Sequence, residues 1–118
     1  MRADLRRDLT DAIRRRDAAA VSALRTTLAA IENAEAVRPG DDAPAPNPGG
    51  SPVAGAVGGR GAAEVPRRHL SDADVERIIR AEVRERVAAA AEYERHGRHA
   101  PAQRLRAEAD VLGRYLPA

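Results

Sequence analysis

The sequence predicts an all-α protein: four amphipathic helices arranged as two hairpin-like pairs, with a Pro/Gly-rich break between the pairs. Three observations lead there. Alanine and arginine, both strong helix formers, dominate the chain, while Phe and Trp are absent and Tyr occurs only twice. Strands want β-branched and aromatic side chains, and this composition supplies too few of them. Apolar residues recur at helical spacing on both sides of the break, whereas the stretch 39–66 is crowded with Gly and Pro and shows no period.

In the first helix Leu5, Leu9 and Ile13 follow at i, i+4 and i+8, with Ala12 beside them. Asp4, Asp8 and Asp11 lie early and Arg14, Arg15 and Arg16 late, which complements the helix dipole. Asp17 can cap a second helix whose apolar positions are Val21, Leu24, Leu28 and Ile31, widened by Ala20, Ala23, Ala30 and Ala34. This helix fades near Val37, because a following proline disfavours the α region. The run 39–66 cannot bury enough apolar surface to offset its ordering entropy and reads as a disordered linker. Ser71 and Asp74 then form a capping-box pattern opening a third helix. Its inward face is read as Val75, Ile78, Ile79, Val83, Val87 and Ala90, opposite Glu76, Arg77, Arg80, Arg84 and Glu85. Gly97 supplies a left-handed stop, and Pro101 suits the first turn of a fourth helix. There Leu105, Ala109, Leu112 and Tyr115 or Leu116 share a face before Pro117. The segments 1–38 and 67–118 thus form two helical pairs of one domain, tethered by the linker.

Composition excludes several function classes. Without cysteine there is no disulfide scaffold, thiol nucleophile or Cys-ligated zinc. No apolar run is long enough to span a bilayer, and the acidic, polar start is unlike a signal peptide, so a cytoplasmic location is expected. The 20 basic residues, all arginine, nearly balance 18 acidic ones, giving a net charge of +2. Large aliphatic side chains are few. A core this thin favours burial of the apolar stripes on a partner or a second copy.

Candidate chemistry is sparse, and no catalytic, metal or cofactor site is expected. Glu92, His96 and His99 fall at i, i+4 and i+7, a zinc-like spacing on a continuous helix, but Gly97 interrupts it and a fourth ligand is missing. His69 reads as a solvated loop residue. Glu82 and Glu92 could be imagined as an acid/base pair, yet no cleft or substrate group accompanies them. The hydroxyls show no nucleophile elbow, and Gly58-Gly59-Arg60-Gly61 lacks the Walker lysine. Balanced charge on helices is usually a solvated, ion-paired face. The cluster Arg14, Arg15 and Arg16 at a helix end can nonetheless grip phosphates bidentately. Absence of Phe and Trp argues against base stacking, so any RNA contact would run through phosphate and shape.

Four segments together resemble a known family. Leu24-Arg-Thr-Thr-Leu-Ala-Ala-Ile-Glu-Asn-Ala-Glu35, Leu70-Ser-Asp-Ala-Asp-Val75, Glu92-Tyr-Glu-Arg-His-Gly-Arg98 and Ala107-Glu-Ala-Asp-Val-Leu-Gly-Arg-Tyr-Leu-Pro117 are similar, in this order, to the YqeY-like proteins of the GatB/YqeY group. The resemblance implies an all-α fold. It also implies kinship with the tail of the B subunit of the glutamine-dependent aminoacyl-tRNA amidotransferase, a tail associated with tRNA. The family label is carbon–nitrogen ligase activity with glutamine as amido-N-donor, although the chemistry belongs to other parts of that enzyme. Members of the family normally continue past Tyr-Leu-Pro into a three-helix part, whereas this sequence ends at Pro117-Ala118. Arg25, Glu32, Asn33 and Glu35 are the positions the resemblance carries over on the second helix, the last three also as a possible polar network between helices. Gly97, Arg98, Tyr115, Leu116 and Pro117, with Ser71, read as structural motif positions. The resulting expectation is a non-catalytic accessory module that binds tRNA, an amidotransferase or an aminoacyl-tRNA complex, with Arg14, Arg15, Arg16 and Arg25 as the nucleic-acid contacts. The alternative is a self-associating or protein-interaction module with no RNA role.

Overall fold

The computed structural model describes residues 1–36 and 69–117, and among them it contains four helices and no strand. They are α1 (Arg2–Arg15), α2 (Ala18–Ala36), α3 (Asp72–Arg95) and α4 (His99–Gly113). The segment 39–66, read as a linker, lies outside the described residues. One compact unit comprises Met1–Ile31 and Leu70–Ala118; Glu32–His69 form a second, to which the last turn of α2 belongs.

Local chemistry sets each helix end. The α1 chain stops where Arg16 turns left-handed (φ 58°), its N–H bonding back to Ala12 and Ile13. Asp17 accepts from the backbone N–H of Ala20 at 3.2 Å, satisfying one of the donors orphaned at the start of α2. At α3 the capping box is complete: Asp74 N–H donates to the Ser71 hydroxyl at 3.1 Å, and Ser71 N–H donates to the Asp74 carboxylate at 3.0 Å. Gly97 (φ 73°) turns the chain from α3 into α4, a conformation that L side chains resist.

Inside the first unit, Leu5 and Ala12 of α1 pack with Ala20, Ala23, Leu24, Leu28 and Ile31 of α2, Val75 and Ile79 of α3, and Val111 and Leu112 of α4. Leu9, Val21, Ile78, Val83, Tyr115 and Leu116 close over this cluster, each partly buried. Apart from Tyr115 at its edge no aromatic takes part, and the cluster is built of alanines and branched aliphatic side chains.

Two inward stripes depart from the sequence reading. Ile13, expected in the core, is 48 % exposed, and Val87 is 51 % exposed. Helical geometry explains both. The α1 stripe runs Leu5, Leu9 and Ala12, and Ile13 lies one residue, about 100°, beyond it. On α3 the stripe follows Val75, Ile79, Glu82, Arg86 and Ala90 at steps of four and three, which leaves Val87 turned about 100° from Arg86. The inward position of the third helix's middle is therefore filled by a charged side chain, not a valine.

Arg86 is 7 % exposed and Glu108 of α4 is 6 % exposed. The Arg86 Nε donates to Glu108 Oε1 at 2.9 Å, while its Nη1 donates to Glu82 Oε1 at 2.7 Å and to the Glu82 carbonyl at 3.1 Å. Burial works to lower the guanidinium's pKa, but the bonds and charges of Glu82 and Glu108 outweigh it, and the pKa lies above its ordinary value.

Thr27 is fully buried, and its hydroxyl has no hydrogen-bond partner among the described residues. Such an orphan costs free energy that an isosteric methyl does not. Thr27→Val is expected to stabilise the chain by about 1 kcal/mol, read as a higher urea midpoint at unchanged slope; a lower midpoint would contradict this packing.

Candidate functional site

Two recesses flank the elbow where α1 passes into α2. The first is open, and Arg16 and Arg25 edge it above Ile13, Val21, Ser22 and Thr26. Arg25 projects from α2, two turns beyond the elbow, and Arg16 sits on the elbow itself. Neither guanidinium forms an ion pair among the described residues, and Ser22 remains exposed beside them. The Thr26 hydroxyl donates to the Ser22 carbonyl at 2.9 Å, which leaves its oxygen lone pairs facing outward as acceptors only.

The left-handed conformation of Arg16 bears on its role. A residue other than glycine held there is strained by roughly 1 kcal/mol or more, and Arg16 is the sole such residue among the described ones. A glycine or asparagine would serve the turn at lower cost. Keeping an arginine there sets a cation at the mouth of the recess on a fixed backbone, rather than on a fraying end.

The second recess lies on the other side of α1. Asp8, Asp11 and Arg15 face Arg114 and Tyr115 across a floor of Ala20, Leu24 and Val111. The Tyr115 hydroxyl donates to Asp8 Oδ2 and so ties the chain after α4 to α1. Burial pushes the Tyr115 pKa well above its ordinary value, and the adjacent Asp8 carboxylate pushes it further.

The three consecutive arginines face three different surroundings. Arg14 points to Asp11, with 3.8 Å between Nη1 and Oδ1. Arg15 lines the second recess and Arg16 the first. A helix turns about 100° per residue, so neighbours in sequence face different ways. Glu32 and Asn33 are exposed at the end of α2, and Glu35 is half-buried there. Sequence periodicity alone did not reveal the pairing of Arg16 with Arg25, because it depends on the elbow.

At the α3–α4 turn, Arg98 lies over the Tyr93 ring at 5.6 Å from its centroid. Arg106 Nη1 donates to Glu94 Oε2 at 2.7 Å across the two helices. The zinc-like trio is not assembled: α3 ends at Arg95, His96 Nδ1 contacts the Glu92 carbonyl at 2.9 Å, and His99 starts α4. Among the described residues no group of three or more His, Asp or Glu could hold a metal ion. Glu82 is committed to Arg86 while Glu92 is exposed, so the two carboxylates do not converge on a cleft. No helix among the described residues is long and apolar enough to cross a membrane.

Residues 60–118 match the model of the family described as Yqey-like protein. No match was found among curated proteins or among solved structures. The matched span holds Ser71, Gly97, Arg98, Tyr115, Leu116 and Pro117, together with Arg86 and both its carboxylate partners; the elbow arginines lie before it.

The Tyr115–Asp8 contact makes a pH prediction. Because the folded-state pKa of Tyr115 is raised, its contribution to stability is complete below the unfolded value near 10 and falls as pH rises through the folded value. With no lysine in the chain, few other groups titrate in that window. Thermal melts should drop steeply above about pH 10, and Tyr115→Phe should flatten that drop while costing about 1 kcal/mol at neutral pH. An unchanged alkaline slope in the variant would contradict the contact.

Proposed function

Since the chain belongs to the YqeY-like family, we propose that it is a non-catalytic helical accessory module that binds tRNA phosphates at the Arg16–Arg25 recess. The link to glutamine-dependent tRNA amidotransferase, and with it the carbon–nitrogen ligase label, comes from the family resemblance. In this reading the chain positions RNA or an aminoacyl-tRNA complex and leaves bond-making to its partner.

The observation that carries the reading is the strained arginine. Arg16 occupies a backbone state that favours glycine, and beside it Arg25 offers a second guanidinium with no internal carboxylate. Two planar forks at one open mouth suit phosphate oxygens, which accept bidentate bonds. The Ser22 hydroxyl can add a donor at the same mouth. Nothing in this arrangement reads base edges, so the contact is one of charge and shape.

The strain also provides a clean test. Arg16→Gly removes the cation and relieves the left-handed backbone, so stability should change by no more than about 1 kcal/mol. Binding of bulk tRNA at low salt, followed by fluorescence anisotropy, should weaken severalfold. With Arg25→Gln added, the slope of log K against log salt should shrink by about 1.5, the value for two phosphate contacts. Wild-type chain that fails to bind tRNA at low salt, or a double variant that binds as wild type does, would reject the reading.

A further inference from the structure

We propose that the recess between α1, α2 and the segment after α4 binds a free α-amino acid, its carboxylate held by Arg15 and Arg114 and its ammonium by Asp11. The site is independent of the RNA reading, since neither Arg16 nor Arg25 lines it.

Opposite charges are divided within one small concavity. Its volume, about 330 Å³, lies within the range of small-ligand sites and suits an amino acid with water to spare. Arg15 ends α1 and Arg114 follows α4, and neither forms an ion pair among the described residues, although seven other arginines do form one there. Two unpaired guanidiniums at one mouth leave donors for a carboxylate. Asp11 is about half exposed, and its nearest cation, Arg14, stands 3.8 Å away, too far for a hydrogen bond. Its carboxylate keeps this one long ion pair and accepts no hydrogen bond among the described residues, so an ammonium can still reach its oxygens. Asp8 is less available, because Tyr115 donates to its Oδ2.

The Tyr115–Asp8 bond has a role here that is not only structural. It fixes the segment carrying Arg114 against α1, so the two cationic groups and the acidic one are held across a preset gap. Ala20, Leu24 and Val111 form the floor, which favours a small aliphatic side chain over a charged one.

The test is a titration of the full, ¹⁵N-labelled chain with L-valine to about 50 mM, well above a millimolar Kd. Saturable shifts should appear at the amides of Asp11, Arg15 and Arg114. Valinamide, without the carboxylate, and 3-methylbutanoate, without the ammonium, should bind roughly tenfold or more weakly. Arg114→Gln and Asp11→Asn should each do the same to valine, with far-UV circular dichroism confirming the helices. If Arg114→Gln does not fold, Asp11→Asn decides alone. Absence of saturable shifts would overturn the proposal, as would 3-methylbutanoate or inorganic phosphate binding as tightly as valine.

Discussion

The α3–α4 pair depends on one buried cation. Arg86 fills the inward position at the middle of α3, where the helical stripe demands a side chain and no aliphatic is supplied. Its fork reaches one carboxylate on its own helix and one on α4. A charge so placed is costly to desolvate, and only near-complete hydrogen bonding makes it tolerable. The geometry demanded by these bonds then fixes how far α4 can slide along α3. A core of alanines and a few leucines would permit several registers of nearly equal energy; the guanidinium selects among them.

This explains which parts of the fold were legible in the sequence. Helix existence was readable because Leu24, Leu28, Ile31 and Val75, Ile79 repeat at helical spacing and because Ser71, Asp74 and Gly97 are strong punctuation. Val87 and Ile13 depart from the sequence reading for one reason. Apolar bulk is a poor sign of burial here, since Arg86 and Ala12, the inward residues beside them, are a charged one and a small one. In a long arginine-rich helix, hydropathy cannot tell a paired inward arginine from a solvated outward one. Glu108 on another helix makes the difference, and it is distant in sequence.

The candidate sites were less legible. Consecutive arginines read as a single basic patch, but the elbow between α1 and α2 distributes them over two recesses and an ion pair with Asp11. The positive φ of Arg16 is a tertiary fact that composition does not carry. Arg86 and Arg106 bridge α3 and α4, while Arg15, Arg16, Arg25 and Arg114 form no ion pair among the described residues.

A double-mutant cycle between Arg86 and Glu108, read by urea denaturation, tests the account most directly. Arg86→Met alone leaves two carboxylates without their partner, and Glu108→Leu alone leaves the cation under-paired, so each should cost about 3 kcal/mol or more. Combining them should recover a large part of that loss, giving a coupling energy of about 2 kcal/mol. Strictly additive losses, with coupling below about 0.5 kcal/mol, would mean that the α3–α4 register is set by aliphatic packing alone.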